Sequence, residues 1–384
     1  MRIIADSNIP FVAECFSSIG EVEVVAARQI TVDVVRDADI LLVRSVTRVG
    51  ADLLAESNVR FVGSATIGTD HIDIEYLERH NIGFASAPGS NANSVAEYVV
   101  AALLEIGRKH SINLEGKSIG IIGVGNVGSK VEKKVAALGM KVYLNDPPLK
   151  RQTGDAKYLP IEELYDCDFV TLHTPLTFEG IDKTYHLANE RFFKALKKGC
   201  IFLNTARGAV VDSEALKEAI RIGKLKAAVL DVWENEPNID AELLEMVDIG
   251  TAHIAGYSLD GKVAGMIMIY KVVCDYLGIE AKFDFGSLLP EPKVPRINID
   301  SEIDDEQEVI RKTVEKIYNI KEDDVGLRGI LNVSVEKRGE YFSELRNNYP
   351  VHREFHNTEV IITKEGTENL SKKLKGIGFK IANL

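Results

Sequence analysis

Short apolar runs alternate with polar, helix-like stretches along the first 90 or so residues. Runs of three to five mostly apolar residues predict strands, and the stretches between them have apolar residues at helical spacing. The predicted strands are Met1–Ala5, Val22–Val25, Ile40–Val43, Arg60–Val62 and Ile82–Ala85, and the predicted helices are Phe11–Ile19, Thr31–Asp37 and Asp52–Ser57. Strands that alternate with helices form parallel sheets, so this pattern predicts an α/β domain.

After residue 90 the chain continues with a long helix and a second series of strands. Apolar residues on one face predict a helix over Ser90–His110. Further strands are predicted at Ile119–Ile122, Lys141–Leu144, Phe169–Leu172, Cys200–Leu203, Ala227–Leu230 and Ile249–Thr251. This repeated alternation predicts a second parallel sheet.

A proline-rich stretch, residues 288–295, precedes the C-terminal part of the chain. Clustered prolines interrupt helices and sheets, so this stretch marks a boundary. The pattern beyond it predicts strands at Arg296–Asp300 and Thr358–Thr363, helices at Glu306–Tyr318 and Leu370–Lys375, and an extended segment at Gly378–Ile381. We therefore expect a small α+β domain at the C-terminal end.

Three glycines lie at a predicted strand-to-helix turn in the second series. Their spacing, GxGxxG, allows a tight turn and a close approach of the backbone to a pyrophosphate. Asp146 ends the next predicted strand, 18 residues after Gly128, where a carboxylate binds the ribose hydroxyls of NAD. The pattern predicts a Rossmann-type NAD-binding domain whose turn comprises Gly123, Gly125, Asn126, Val127 and Gly128.

Composition and charge restrict the class of protein. The chain has 384 residues, 45% hydrophobic and 27% charged, as in globular proteins of two or three domains. Its net charge of −12 argues against a nucleic-acid partner, because no basic surplus is available to neutralise phosphates. The sequence also predicts no membrane span and no signal peptide, since Asp6 interrupts the first apolar run. Because the four cysteines lack metal-ligand spacing, we expect reduced thiols and a cytoplasmic protein.

Polar side chains are concentrated after three predicted strands of the second sheet. They include an arginine, a carboxylate and an imidazole: Arg207, Glu236 and His253. Each alone has an ordinary structural explanation, but together they suit hydride transfer at a hydroxy acid. Arginine can hold a carboxylate through two hydrogen bonds, and histidine can accept the hydroxyl proton. A nearby glutamate would favour the imidazolium and orient the ring.

Small polar loops follow two predicted strands of the first sheet, at residues 44–48 and 64–71. Ligands bind beyond the carboxyl ends of parallel strands, so these loops are candidate substrate contacts. Asp70, His71 and Asp73 lie in or near the second loop, but nothing else in the sequence completes a metal-binding pattern. We predict no metal site.

The motifs above resemble those of the D-isomer-specific 2-hydroxyacid dehydrogenases, over residues 1 to about 285. The resemblance implies a doubly wound Rossmann-type NAD-binding domain and a flavodoxin-like substrate domain formed by two separate parts of the chain. The implied domains are residues 1–90 with 261–285 for substrate, 91–260 for NAD, and 286–384 for a C-terminal dimerisation domain. It also implies that Arg207, Glu236 and His253 are the catalytic residues.

One branch of the family is matched more closely, through residues 43–47, 68–71, 145–148 and the segment HIAGYSLDGK at 253–262. That branch oxidises the C2 hydroxyl of a phosphorylated four-carbon hydroxy acid in vitamin B6 synthesis, which implies the same reaction here. Positions that match Ser45, Thr66 and Tyr257 contact substrate in the branch, and those that match Asp146, Thr174, Ala206, Asp231 and Gly256 contact NAD. Arg44, next to Ser45, is our candidate for the substrate phosphate. The C-terminal domain of the branch pairs two subunits, so a homodimer is expected.

Two alternative functions fit the same residues. The chain could act on another acid, as a D-3-phosphoglycerate dehydrogenase or another D-2-hydroxyacid dehydrogenase, and its C-terminal domain could then be an amino-acid-binding regulatory domain. It could instead be an NAD-sensing corepressor, because that binding role also occurs on this fold. The presence of Arg207, Glu236 and His253 argues against the corepressor.

Overall fold

The computed structural model describes residues 1–283, 289–300, 305–363 and 367–382. Its strands are β1 (Arg2–Asp6), β2 (Glu21–Val25), β3 (Ile40–Val43), β4 (Phe61–Ser64), β5 (Gly83–Ser86), β6 (Ser118–Ile122), β7 (Lys141–Asn145), β8 (Phe169–Leu172), β9 (Cys200–Asn204), β10 (Leu225–Leu230), β11 (Ile249–Gly250), β12 (Arg296–Ile299), β13 (Glu359–Ile362) and β14 (Lys380–Ala382). Its α-helices are α1 (Val12–Phe16), α2 (Val32–Val35), α3 (Ala51–Leu54), α4 (Ile74–Arg79), α5 (Ala92–His110), α6 (Gly128–Ala137), α7 (Pro147–Thr153), α8 (Glu190–Ala195), α9 (Ser213–Arg221), α10 (Ala241–Met246), α11 (Leu259–Leu277), α12 (Glu306–Ile317), α13 (Ile320–Arg328), α14 (Arg338–Asn347) and α15 (Glu368–Ile377).

The chain divides into two compact units. Unit 1 comprises Met1–Ala92 and Tyr257–Glu291, and unit 2 comprises Asn93–Gly256 and Pro292–Leu384. The helix α11 therefore belongs to unit 1, although it follows the strands of unit 2 in the sequence. The boundary that we predict between residues 285 and 286 lies outside the described residues.

Unit 1 is built on a five-stranded sheet with the order β2-β1-β3-β4-β5, in which all neighbours are parallel. This is the order of flavodoxin-like sheets. Alternate side chains of β1 enter two separate cores: Ile3 packs with residues of α1 and α11, and Ile4 with residues of α2, α3 and α4. Both faces of the sheet are covered, which confirms the predicted doubly wound α/β class.

Unit 2 contains a six-stranded parallel sheet with the order β11-β10-β9-β8-β6-β7. A single parallel bridge between Leu144 and Tyr158 adds a rudimentary strand beside β7, and the Leu159 amide donates to the Leu144 carbonyl over 2.7 Å. If β6 and β7 are numbered 1 and 2, the bridge 3, and β8 to β11 are numbered 4 to 7, the order is 3-2-1-4-5-6-7. This is the Rossmann order with one further strand. The Rossmann-type fold is thus confirmed.

The C-terminal part of unit 2 has its own parallel sheet, β12-β13-β14, and packs on the NAD-binding part through a buried polar cluster. The Asn93 amide donates to Glu97 over 3.0 Å and to Glu354 over 2.6 Å. The ammonium of Lys134 lies 3.5 Å from Glu97, and the Phe355 amide donates to Glu97 over 3.0 Å. Burial, the largest influence, raises the pKa of Glu97.

Several of the described helices were not predicted individually from the hydrophobic pattern, among them α4, α7, α13 and α14. The helix α7 begins with two prolines, which suit the first turn of a helix, but none of its side chains is buried. In α14 only Phe342 is buried. An apolar periodicity needs several buried positions on one face, so these segments carried no helical signal.

Candidate active site

Every predicted catalytic and cofactor residue belongs to unit 2 and follows a strand of its six-stranded sheet. Because all these strands are parallel, their carboxyl ends lie at one edge of the sheet. The residues that follow are the glycine turn after β6, Asp146 after β7, Thr174 after β8, Ala206 and Arg207 after β9, Asp231 and Glu236 after β10, and His253 and Gly256 after β11. The structure thus brings these loops to a common edge.

The glycine turn requires the residues found there. Gly123 has φ of +87°, a left-handed value that glycine adopts readily. A β-carbon on Gly128 would overlap the carbonyl of Gly123, whereas one on Gly125 would meet no atom within 4 Å. The turn is therefore tight on its inner side and open at Gly125, which leaves room for a pyrophosphate at the start of α6.

Asp146 joins the glycine turn to the helix that follows it. One carboxylate oxygen accepts from the Val124 amide over 2.8 Å, and the other accepts from the Leu149 amide over 2.9 Å. The two nearby cations are directed elsewhere: Lys150 donates to the Asp155 carbonyl over 2.8 Å, and Arg151 pairs with Asp182. Asp146 is therefore a carboxylate in the position expected for binding ribose hydroxyls, and the hydrogen bonds of the two cations are made to other groups.

The loop after β8 contains a buried hydroxyl and a partly buried imidazole. The Oγ1 atom of Thr174 has no hydrogen-bond partner among the described residues, as expected for a group that meets a ligand. His173 contacts the hydroxyls of Thr171 at 3.0 Å and Thr205 at 3.1 Å. Burial lowers the pKa of His173 to about 3, so this ring stays neutral and is unsuited to proton exchange at neutral pH.

His253 and Glu236 form a directly hydrogen-bonded pair. The Nδ1 atom of His253 lies 2.7 Å from Oε2 of Glu236, and Oε1 accepts from the Trp233 amide over 2.8 Å. Burial by itself would raise the pKa of Glu236, but His253, the Trp233 amide and Arg346 outweigh it and lower that pKa. Glu236 is thus held as a carboxylate against the imidazole.

Asp231 fixes the backbone on which His253 stands. Its carboxylate accepts from the Ile254 amide over 2.8 Å, the Ala255 amide over 3.0 Å and the Thr251 hydroxyl over 2.6 Å. The His253 amide also donates to the Asp231 carbonyl over 2.7 Å. His253 itself has φ of +55°, an uncommon value that these bonds maintain. Burial raises the pKa of Asp231 despite these donors.

Arg207 lies on a loop that packs against the loop of Glu236. A β-carbon on Gly208 would overlap the carbonyl of Trp233, so the two loops touch at their backbones. The side-chain amide of Asn204 donates to the Arg207 carbonyl over 3.0 Å, and the Ala206 amide donates back to Asn204 over 3.0 Å. Arg207 therefore lies on a hydrogen-bonded turn that packs against the loop of Glu236.

The C-terminal part of unit 2 supports the same turn, which was not predicted from the sequence. A β-carbon on Gly339, in α14, would lie 2.6 Å from the side-chain oxygen of Asn238 and 3.4 Å from Pro237. The Asn238 amide in turn closes the turn by donating to the Asn235 carbonyl over 2.8 Å. The backbone of α14 thus approaches within two residues of Glu236.

The four predicted substrate residues belong to unit 1. Thr66 is held by Ser64 at 2.7 Å and by the Gly68 carbonyl at 3.0 Å, and Ser45 is exposed. The guanidinium of Arg44 lies 5.6 Å from the ring centroid of Tyr257. A fifth residue, which sequence reasoning did not single out, approaches the same ring: the ammonium of Lys262 lies 4.7 Å from its centroid.

The described residues contain neither a metal-binding cluster nor a membrane-spanning helix. Within the described ranges, no group of three or more His, Cys, Asp or Glu side chains is arranged to hold a metal ion. No helix in this part of the chain is long and apolar enough to cross a membrane.

Family models match most of unit 2. The model of the D-isomer specific 2-hydroxyacid dehydrogenase NAD binding domain matches residues 95–255. A second model, described as a domain of unknown function, matches residues 288–378.

Curated relatives match the chain over nearly its whole length. The erythronate-4-phosphate dehydrogenase of Cronobacter sakazakii is 42% identical over 97% of this chain and 97% of its own length. That of Hahella chejuensis is 40% identical over 100% of both chains. Among solved structures, D-lactate dehydrogenase from Aquifex aeolicus, complexed with NAD and lactic acid, is 26% identical with a TM-score of 0.60, covering 72% of this chain and 95% of that chain.

Proposed function

Since this chain belongs to the D-isomer specific 2-hydroxyacid dehydrogenase family, and within it to the erythronate-4-phosphate dehydrogenases, we propose that it oxidises 4-phosphoerythronate at C2. It is an NAD-dependent oxidoreductase. The product of the proposed reaction is (R)-3-hydroxy-2-oxo-4-phosphobutanoate, in a step of pyridoxal phosphate synthesis. The observation that carries the proposal is the 2.7 Å contact between His253 and Glu236, in a chain similar to these relatives from end to end.

The catalytic roles follow from the chemistry of three side chains. Arg207 would hold the substrate carboxylate and the C2 oxygen, because a guanidinium can donate two parallel hydrogen bonds. Since Nδ1 of His253 is engaged by Glu236, its Nε2 atom is the one available to take the C2 hydroxyl proton. The Glu236 carboxylate would stabilise the imidazolium formed in that step.

Cofactor binding is assigned to the glycine turn and the loops beside it. Bound NAD supplies the acceptor for the hydride that leaves C2. We assign its contacts to Gly123, Gly125, Asn126, Val127, Gly128, Asp146, Thr174, Ala206, Asp231 and Gly256. The open space at Gly125 and the unpartnered Thr174 hydroxyl support this assignment, and Ser45, Thr66, Tyr257 and Arg44 are assigned to substrate.

We also infer a homodimer formed through the C-terminal domain and a cytoplasmic location. Val325, Val335 and Val351 are more than half exposed, and exposed apolar side chains favour association. The four cysteines are free thiols, as in a reducing compartment. Sedimentation of Val325→Asp and Val335→Asp proteins tests the dimer, because charges in that surface should produce monomers.

The reaction is tested by following NADH formation from 4-phosphoerythronate and from 3-phosphoglycerate. We expect a much higher kcat/KM with 4-phosphoerythronate, and His253→Ala as the inactive control should abolish nearly all of it. A preference for 3-phosphoglycerate would instead support the phosphoglycerate dehydrogenase alternative. NAD binding without NADH formation from either acid would support the corepressor.

A further inference from the structure

Two cations of unit 1 are placed beside a single tyrosine ring. The ring of Tyr257 has the Lys262 ammonium 4.7 Å and the Arg44 guanidinium 5.6 Å from its centroid. Arg44 follows β3 and Lys262 lies in the first turns of α11, so the two residues come from distant parts of the sequence. An aromatic ring stabilises a nearby cation modestly, and it does not neutralise two of them.

Lys262 is in an environment that disfavours its own charge. Among the described residues no carboxylate forms an ion pair with it, and no hydrogen bond holds its ammonium. It is the fourth residue of α11, near the helix end where a positive charge is least stable. Burial, and then the neighbouring Arg44, lower the pKa of Lys262 to about 8. Its position is therefore unfavourable unless an anion accompanies it.

Arg44 is likewise without an acidic partner among the described residues. Its Nη1 atom donates to the Asn8 carbonyl over 3.0 Å, a neutral acceptor that orients the guanidinium and leaves other N–H groups available. Asp6 lies two residues before Asn8 in the sequence, but its Oδ1 atom accepts from the Asn8 amide over 2.8 Å, and no ion pair with Arg44 is found among the described residues. The pair of cations thus retains its positive charge.

We propose that Arg44 and Lys262 together bind the phosphate group of the substrate, a dianionic phosphate monoester. This rests on the proposed function, in which the substrate carries a carboxylate and a phosphate and Arg207 holds the carboxylate. A phosphate dianion matches two positive charges and offers three oxygens for their N–H groups. The segment that carries Tyr257 and Lys262 begins only four residues after His253 in the sequence.

A structural role for Lys262 makes a different prediction. If the lysine only packs its alkyl chain against Tyr257, Lys262→Met should be tolerated for all substrates, because methionine has a similar unbranched shape. If the lysine binds phosphate, Lys262→Met should lower kcat/KM for the phosphorylated acid and leave that for the unphosphorylated acid nearly unchanged. Lys262→Arg should keep most of the preference of the unmutated protein for the phosphorylated acid.

The kinetic test compares 4-phosphoerythronate with erythronate in the full-length protein. Loss of one charge-assisted contact to phosphate corresponds to about 10- to 100-fold in kcat/KM. We expect Lys262→Met and Arg44→Met each to lower the ratio of kcat/KM for the two acids by about that factor. Lys271→Met, which removes an exposed lysine from the same helix, is the matched control and should leave the ratio unchanged. An equal loss with both acids, or no loss with either, would overturn the site.

A binding measurement separates this proposal from the proposed reaction. Titration calorimetry with inorganic phosphate at constant ionic strength should show binding to the unmutated protein and to Lys271→Met, weakened at least about tenfold in Lys262→Met and Arg44→Met. If that pattern appears without NADH formation from 4-phosphoerythronate, the phosphate site stands and the assigned reaction is wrong. Equal phosphate binding by all four proteins would contradict the site, whatever the reaction.

Discussion

Nδ1 of His253 lies 2.7 Å from Oε2 of Glu236, and the second oxygen of that carboxylate accepts from the Trp233 amide over 2.8 Å. The carboxylate is therefore held from both sides, and the imidazole is oriented through one nitrogen. Such an arrangement leaves Nε2 to exchange a proton with substrate. Mutation can distinguish the two roles that we propose for this pair: proton transfer by His253 and orientation of its ring by Glu236.

Replacing His253 by alanine should lower kcat roughly 10²–10⁴-fold, the usual contribution of a general acid or base. Glu236→Gln keeps the size of the side chain and removes its charge, so we expect a smaller loss of about 10- to 100-fold. NADH binding, followed by its fluorescence, should be retained in both variants. His80→Ala, in unit 1, is the control, and near-normal turnover of His253→Ala would show that this histidine is only structural.

The packing of α14 on the turn after Glu236 predicts an effect of the C-terminal part on kcat. In Gly339→Ala the new β-carbon requires Asn238 to move, because it would lie 2.6 Å from the side-chain oxygen. Small displacements of catalytic groups are costly, so we expect kcat to fall about tenfold. Gly326→Ala is the matched control, since its β-carbon would meet only Leu345, at 3.7 Å.

The double variant Gly339→Ala with Asn238→Ala tests the proposed cause. Removing the Asn238 side chain makes room for the β-carbon introduced at position 339. The kcat of the double variant should therefore be close to that of Asn238→Ala alone and well above that of Gly339→Ala. A full loss that persists in the double variant would attribute the effect to α14 itself. Circular dichroism should show the same helix content in all of these proteins.

Cofactor choice should depend on Asp146. Its carboxylate would repel a 2′-phosphate, and Arg151 already pairs with Asp182, so NAD should be strongly preferred over NADP. Asp146→Ser should lower the ratio of kcat/KM for NAD over NADP by about tenfold or more. Asp305→Ser removes the cap of another helix and controls for lost stability. Equal kcat/KM for both cofactors in the unmutated protein would contradict the assignment.

Asp323 should make the protein less stable as the pH rises. Burial, the largest influence, raises the pKa of Asp323 from 3.8 to about 6, although the Tyr349 and Tyr318 hydroxyls both donate to it over 2.8 Å. A group whose pKa is raised on folding stabilises the protein below its unfolded pKa and loses that contribution as the pH rises through its folded pKa. The loss between pH 4 and pH 7 should approach roughly 3 kcal/mol.

The measurement for Asp323 is urea unfolding at several pH values. The free energy of unfolding of Asp323→Asn, relative to the unmutated protein, should increase between pH 4 and pH 7, because asparagine does not titrate. Asp33→Asn, an exposed position, should show no such increase. Parallel pH profiles for the unmutated protein and Asp323→Asn would rule out this contribution.

Local patterns were sufficient to predict the fold class, and they also indicated where a dinucleotide would bind. The strand before Gly123, the glycine spacing and the carboxylate at Asp146 are close in sequence, and each has a direct physical meaning. Because the carboxyl ends of parallel strands share an edge, Arg207, after β9, and His253, after β11, lie at the same edge of the sheet. The proposed catalytic roles, however, came from family resemblance, because spacing alone does not place two side chains in contact.

Contacts between distant segments had no signal in the sequence. The burial of Glu97 beside Lys134 depends on Glu354 and Phe355, more than 250 positions after Glu97, so nothing in the sequence around Glu97 indicated that it is buried. Lys262 belonged to a recognised segment, but its lack of a carboxylate partner is a property of the folded chain. Such features require the three-dimensional structure because hydrophobic periodicity does not record charge pairing.

Oxidation of 4-phosphoerythronate at C2 requires the transfer of a hydride from that carbon to NAD. Incubating the protein with NAD and 4-phosphoerythronate deuterated at C2 tests it directly, with mass spectrometry of the NADH formed. We expect NADH heavier by about one mass unit, in proportion to the 2-oxo acid produced, because the transferred hydrogen comes from C2. Formation of unlabelled NADH from the deuterated acid, or no NADH at all, would contradict it.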